Sequence, residues 1–523
     1  MPETTILETA APRSVRTVVD VPLNRVEGDL EIRVELADGY VVDAWSAGTL
    51  YRGFENIMVG RAALDGLVIT PRICGICSTA HLTAAAKALD AITGVTPPPD
   101  AVRIRNIALL VEQMQSDARQ AVLMFMADFA NPAHRDQPLY EEAVRRYEPL
   151  RGSTAIATIA QTRRVLEIVA ILGGQWPHSS YMVPGGVVSL PGAADLLQCR
   201  HLLAGFWQWY EREILGCGLG RWLEVRSRAD LDVWLDECPA QRDSAVGFLV
   251  RFGRQIGLEQ VGVGHDRYLS VGGCELPAGS AVRPWRGSGT QLVPAGFAEG
   301  PRVRPFVPER IAEHVACSWC GDYAGGRHPF DGATEPYATG GEGGKYSWAK
   351  APRYDGQPAE TGPLAEMVVA GQPLFVDLLS GGGPNALVRQ LARLVRPAFA
   401  YSAIEQWLKE TQPGGEFYRF APRPVEGQGV GLTQAARGAL GHWVKIVDGR
   451  IQHYQIITPT AWNGSPRDSG GVRGPWEEAL IGTPVRDPAN PVEVGHVVRS
   501  FDPCLVCAVH AVRAGRTVVR KTL

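Results

Sequence analysis

Six of the ten cysteines in this 523-residue chain fall into C-x-x-C pairs, Cys74/Cys77, Cys317/Cys320 and Cys504/Cys507. The first and last pairs are each followed, at a short and similar offset, by a histidine, His81 and His510. A C-x-x-C turn lets two thiolates converge on one metal, and soft sulfur ligands favour zinc, copper(I), nickel or iron over oxygen-seeking ions. Structural zinc pairs usually lie about 12 to 20 residues apart, where they staple a small unit. Cys77 and Cys504 are more than four hundred positions apart, in a chain long enough to fold without a staple. Three arrangements stay open on spacing alone: one metal site closed by both ends of the chain, structural zinc, or two unrelated buried pairs.

Bulk composition excludes some function classes. Fifty-two basic against fifty-five acidic residues leave a net charge of -3, without the broad basic footprint of a nucleic-acid binder, so no nucleic-acid partner is expected. Ten cysteines are too sparse for a disulfide scaffold, and in a reducing compartment such pairs more often serve metals or redox chemistry. No run of about 18 apolar residues occurs, and MPETTILETAAPRSVRTVVD lacks a basic-then-apolar signal pattern. The expected location is therefore cytoplasmic, with peripheral attachment to the cytoplasmic membrane through partners as a variant.

Both outer cysteine pairs should lie downstream of small sheets. LEIRVEL (residues 30–36) alternates apolar and charged residues, Asp38-Gly39 supplies a turn and YVVDAW follows. Near the other end WVKIV, Asp448-Gly449 and RIQHYQII repeat the strand-turn-strand logic. Between them, Ile104, Ile107, Val111, Met114, Ala118 and Val122 keep helical spacing inside a helix expected over 101–129. Further helices are expected over 154–172, 193–215 and 373–411, whereas the Gly-, Pro- and aromatic-rich residues 270–365 read as loops and short strands.

The expected fold class is thus α+β, mainly α: a helical-bundle core, small β-sheet elements at both ends and an irregular α/β insertion, within one domain over 1–523. Its expected subregions are 1–95 with the first cysteine pair, 96–265 for the bundle, 266–370 for the insertion, 371–510 for helices, hairpin and last cysteine pair, and 511–523 for a tail.

RICGICSTAH (72–81) and DPCLVCAVH (502–510) resemble the two signature motifs of nickel-iron hydrogenase large subunits. The resemblance extends through LNRVEGDLEI, LYRGFENI, ILGGQWPHSSYMVPGGV, AARGALGHW and ITPTAWNGSPRD, and its texture is nearest the uptake type called group 2. It implies a catalytic subunit that reversibly splits H2 into two protons and two electrons. Cys74 and Cys504 would be terminal nickel ligands, while Cys77 and Cys507 would bridge nickel to an iron carrying one CO and two CN ligands. Cys504 would pass a proton to Glu27, a carboxylate whose pKa desolvation can lift toward working pH.

By the same resemblance, Arg437 would hang its guanidinium over the open metal position, with Asp117 and Asp502 holding it. Pro459 and Thr460 would face the cyanides, and His81 would donate toward a bridging sulfur. Glu55, His510 and a backbone carbonyl near Ile456 would bind magnesium, which keeps several waters and needs few protein ligands. Two departures concern fine tuning: Asp29 stands where many relatives have His, and Ala436 where many have Pro. Cys317/Cys320 has no counterpart expected in the family and is read as buried thiols, with zinc or redox roles as the alternative.

Thirteen residues, AVRAGRTVVRKTL, follow His510, and the resemblance implies a tail removed by a maturation protease after metal-insertion proteins have loaded nickel. Beyond the four proposed ligands, no cysteines form the spaced set of an iron-sulfur cluster, so the clusters are expected in a small-subunit partner, with heterodimers assembling further. An H2-sensing regulatory subunit is the alternative, disfavoured by the tail. A metal-free respiratory-complex subunit is disfavoured by the four intact cysteines.

Overall fold

The computed structural model describes residues 16–505. β1 (Arg16–Pro22), β2 (Leu30–Ala37) and β3 (Tyr40–Gly48) form an antiparallel sheet in that order. The expected hairpin turn is present: Asp38 and Gly39 both adopt positive φ, 52° and 82°, the backbone that a two-residue hairpin requires. Residues 23–29, between β1 and β2, swing away from this sheet and meet the far end of the chain, where Glu27 bridges Cys504 in parallel and Leu505 N–H donates to the Glu27 carbonyl at 2.6 Å.

Helices supply the interior. After α1 (Phe54–Met58) come α2 (Ser78–Thr93), α3 (Pro99–Arg119), α4 (Ser153–Val165), α5 (Glu167–Gly173), α6 (Ala193–Trp209) and α7 (Ala245–Gln255). The helix expected over 101–129 is α3 prolonged by a wider π-type turn, Gln120–Phe125, and a tighter run, Met126–Ala130. A similar π-type turn, Tyr210–Leu215, prolongs α6. Hydrophobic spacing reports which face is buried but not a change in turn width, which the Gln120 side chain accompanies by reaching the Arg499 carbonyl (2.6 Å).

The Gly- and Pro-rich stretch holds more sheet than expected. Two nine-residue strands, β4 (Arg267–Glu275) and β5 (Gln291–Glu299), pair with each other, the short β6 (Arg302–Arg304) pairs with the other edge of β5, and β7 (Ile311–His314) pairs with β8 (Ala351–Tyr354). Gly272 and Gly273 interrupt the β4 pattern, which is why its alternation is hard to read from sequence.

Helices α8 (Pro363–Val369), α9 (Pro373–Gly382) and the long buried α10 (Ala386–Glu410) then lead to a meander of β9 (Gly427–Ala435), β10 (Gly438–Val447) and β11 (Arg450–Ile457). α11 (Pro459–Asn463) and α12 (Val492–Ser500) precede the last cysteine pair.

One close approach sets the geometry around the first cysteine pair. β9 lies directly against α2, and a Cβ on Gly431 would come within 1.8 Å of the Ala84 carbonyl. Glycine in the strand, facing the alanine-rich helix (Ala84, Ala85, Ala86, Ala88), lets the two backbones nearly touch. That contact brings α2, which starts directly after Cys77, beside the β9–β10–β11 meander.

Candidate metal centre

The Cys74 and Cys504 sulfurs lie 3.6 Å apart although 430 positions separate them. That separation is far too long for a disulfide, and two sulfurs sharing one tetrahedral metal at about 2.3 Å each sit about 3.8 Å apart. Cys74, Cys77 and Cys504 are all buried. Cys77 is the residue preceding α2 and accepts the His81 amide at 3.2 Å, which fixes the start of the helix behind the first pair. Among the described residues no three His, Cys, Asp or Glu side chains form a ready metal-ligating group. Cys507 and His510, expected to complete the two sites, lie outside the described residues, as does the tail after His510.

Arg437 occupies the two-residue turn between β9 and β10, where Ala435 and Gly438 are paired. Its guanidinium is buried and forms an ion pair with Asp502, Nε to Oδ1, at 3.2 Å, and neither Nε nor Nη1 makes a hydrogen bond among the described residues. Burial alone would lower its pKa, but Asp502 and then the Cys504, Cys74 and Cys77 sulfurs outweigh it and hold the pKa well above the usual value. A permanent cation thus sits among three thiols with a donor unspent. Glu27 is half-buried on the same side: burial first, and then the Cys74 sulfur, raise its carboxyl pKa, opposed by Arg437.

Asp117 corrects an expectation. It does not hold Arg437; both its oxygens accept from Arg396 of α10, at 2.9 and 2.7 Å. Arg396 also reaches Glu366 (2.8 Å) and the Ala436 carbonyl (2.7 Å), so Asp117 acts on the Arg437 turn at one remove. One turn earlier on α10, Arg393 donates to the Ser500 carbonyl at 2.8 Å, just ahead of Asp502. A single buried helix therefore braces both the Arg437 turn and the Asp502 turn. Asp502 itself holds a positive φ of 60°.

Thr460, at the start of α11, accepts the Cys504 backbone N–H on its hydroxyl at 3.1 Å, and Pro459 beside it is buried. His81 contacts His442 of β10, Nδ1 to Nε2, at 3.1 Å, and His442 Nδ1 meets the Tyr454 hydroxyl at 2.9 Å. All three rings are buried.

Glu55 belongs to another buried group. Its oxygens accept the Ile456 amide (2.9 Å) and the Thr334 hydroxyl, and Lys350 lies 4.0 Å away. The Ile456 amide thus ties Glu55 to β11, the strand whose carbonyl is the expected magnesium ligand. Lys350 also meets Glu313 at 3.3 Å, and burial, first of all, pushes the Glu313 carboxyl up to about 7. Lys350 is thus shared by two buried acidic side chains.

The third pair, Cys317/Cys320, surrounds no vacant ligand set. Lys345 fills its turn, donating to the Ser318 and Cys320 carbonyls at 2.8 and 2.9 Å. Cys320 is buried and burial pushes its thiol up to about 11; Cys317 is half-buried and shifted in the same direction, also chiefly by burial.

Several contributors escape a reading of the sequence: Arg393, Arg396, Lys350, Glu313, His442 and Tyr454. Only His442 had a nearby signal, since it lies in the AARGALGHW segment that also supplies Arg437. The donor set fits a nickel-iron centre on three grounds: soft sulfur from both chain ends, a buried cation with an unspent N–H, and a carboxylate within the field of Cys74.

Comparisons with known proteins agree. The family described as nickel-dependent hydrogenase matches residues 52–123 and 252–510. The chain is 33% identical to the large subunit of the periplasmic [NiFeSe] hydrogenase of Desulfomicrobium baculatum, covering 97% of this chain and 96% of that one. It is 29% identical to the uptake hydrogenase large subunit of Rhodobacter capsulatus, covering 95% and 96%. Its fold matches the reduced Ni-Fe-Se hydrogenase of D. vulgaris Hildenborough with a TM-score of 0.79 at 31% identity, over 95% of this chain and all of that one. These relatives do not single out the group 2 type and lend no support to the expected cytoplasmic location. A large subunit implies a small iron-sulfur subunit beside it, and with fold, thiols and relatives in agreement, this chain belongs to the catalytic large subunits of nickel-dependent, H2-oxidising hydrogenases.

Proposed function

We propose that this chain works in H2 uptake, with Cys74, Cys77, Cys504 and Cys507 holding a nickel-iron centre whose electrons leave through the clusters of a small subunit. The observation that carries the reading is the contact of the Cys74 and Cys504 sulfurs beside the buried Arg437 guanidinium. Held by these thiolates, a nickel-iron centre bearing one CO and two CN ligands would supply the Lewis acidity that polarises H2 toward heterolysis.

The chain's own groups do the rest. Cys504 holds the proton at sulfur and passes it to a Glu27 oxygen; the parallel backbone bridge keeps the two residues side by side. Arg437, ion-paired with Asp502, would offer its Nη1–H, which has no hydrogen-bond partner among the described residues, to the site in a water-poor setting where such a donor acts strongly. Buried Pro459 and the Thr460 hydroxyl would face the diatomic ligands of the iron, and His81 would donate toward a sulfur of the site.

Magnesium would be held by Glu55, a carbonyl near Ile456 and His510, in a setting where Glu55 and Glu313 outnumber Lys350. A maturation protease and metal-insertion proteins would process the tail after His510, and heterodimers would assemble further. Because one relative is named periplasmic, we place the working enzyme in or facing that compartment, exported with its small subunit.

Nickel and iron analysis of the purified heterodimer, combined with an H2-oxidation assay, tests this reading. The wild type should carry both metals and oxidise H2, whereas Cys507→Ser should lose nickel. A wild-type complex that consumes H2 without nickel would sink it.

A further inference from the structure

His442 and Tyr454 have no role in the reaction described above, yet they form an ordered polar file in a buried region. Tyr454 of β11 meets Nδ1 of His442 of β10 at 2.9 Å, and Nε2 of His442 meets Nδ1 of His81 of α2 at 3.1 Å. All three side chains are buried, and the two imidazole rings stand 5.3 Å apart, tilted by 38°. The file starts on the meander and ends four residues after Cys77. It exists because the glycines of β9 let the meander press against α2.

The direction of each hydrogen bond follows from counting protons. Among the described residues the Tyr454 hydroxyl has one hydrogen-bond partner, Nδ1 of His442. If the hydroxyl accepted there, its own hydrogen would be buried without an acceptor, at a cost of about 1 to 3 kcal/mol. Tyr454 therefore donates, and Nδ1 of His442 carries no proton. Burial, with the neighbouring His81, keeps His442 neutral, so its single proton sits on Nε2 and is donated to His81. Nδ1 of His81 must then be the bare nitrogen, which leaves its proton on Nε2.

We propose that Tyr454 and His442 are positioning residues that fix the tautomer of His81, so that the ring always offers an Nε2–H donor to the sulfur side of the metal centre. A histidine free to change tautomer would present a lone pair there for part of the time, repelling a thiolate instead of supporting it. The file acts through His81 and touches no reacting atom. This inference rests on the hydrogenase reading for the identity of what His81 faces, but not for the direction of the file.

Neutron diffraction from deuterium-exchanged crystals of the wild-type heterodimer tests it directly. Deuterium is expected on the Tyr454 oxygen, on Nε2 of His442 and on Nε2 of His81, with both Nδ1 atoms bare. Deuterium on Nδ1 of His81 would overturn the proposal, and nickel and iron analysis of the same crystals separates that failure from failure of the hydrogenase reading.

Infrared spectroscopy of the loaded enzyme reads the consequence. Tyr454→Phe should shift or split the CO and CN stretching bands and slow H2 oxidation about two- to tenfold, the range of one lost hydrogen bond. His442→Gln, whose amide can accept from Tyr454 and donate to His81, should stay nearer the wild type than His442→Leu. Unchanged bands and rate in fully loaded Tyr454→Phe would also overturn the proposal.

Discussion

Arg396 donates from Nη2 to the Ala436 carbonyl at 2.7 Å, one residue ahead of Arg437, while the same guanidinium is gripped by both oxygens of Asp117. The turn carrying the site arginine is therefore braced from behind by α10. Proline's fixed φ would stiffen such a turn; here Ala436 occupies the position, and a buried arginine holds its carbonyl.

Asp117→Asn should therefore damage the reaction without removing the metals. Breaking a buried ion pair from one side costs about 3 to 5 kcal/mol, and the loosened turn releases Arg437 from its aim. Thermal unfolding should fall markedly, nickel content should hold, and the H2-oxidation rate should drop at least tenfold. Full activity in a destabilised Asp117→Asn enzyme would show that the brace serves stability alone.

Glu27→Gln keeps the shape of the side chain and removes its capacity to carry a proton. Nickel and iron should be retained while proton exchange with solvent, followed by H/D isotope scrambling of H2, slows by about 100-fold or more, the usual scale for losing a positioned acid-base group. Wild-type scrambling rates in this variant would remove Glu27 from the proton path.

Glu112 of α3 anchors the start of α2 just behind Cys77. Its carboxylate accepts the Thr79 and Ala80 amides at 2.9 and 3.1 Å and the Trp176 indole N–H at 3.0 Å, supplying the cap that the Cys77 side chain does not. Glu112→Ala leaves these buried donors unpaired, at about 1 to 3 kcal/mol each at most. Loss of nickel occupancy together with a lowered unfolding temperature is expected, and elemental analysis beside calorimetry would check it.

His134 and His496 stack at 5.4 Å within a phenylalanine-lined core, and Nδ1 and Nε2 of His134 and Nε2 of His496 lack hydrogen-bond partners among the described residues. Burial, above all, pushes their pKa values down to about 4 and about 3. In the unfolded chain both would titrate near the ordinary 6.5, so between those values the unfolded state binds more protons and stability rises with pH. The stability these neutral rings permit is complete above about pH 6.5 and declines as pH falls toward 4 for His134 and toward 3 for His496. Unfolding midpoints measured from pH 8 to pH 4 should drop less steeply in His134→Phe than in the wild type; identical slopes would exclude the pair as an acid-sensitive element.

The amino-acid sequence determined whatever depends on near neighbours. Alternation and an Asp-Gly turn specify both hairpins, 3.6-residue spacing specifies α3 and α10, and the two outer C-x-x-C pairs mark where soft metal ligands must lie, because strand, helix and chelating turn are set within a few residues. Only the tertiary structure decided which distant partners meet. Nothing local in the sequence ranks Arg396 above Arg437 as the partner of Asp117, or reveals that Tyr454 and His442 line up behind His81 and that Lys350 settles between Glu55 and Glu313. Charge pairing is long-range in the chain and short-range in space, so it is settled by where the backbones pack, and here that packing turns on glycines that let β9 lie against α2.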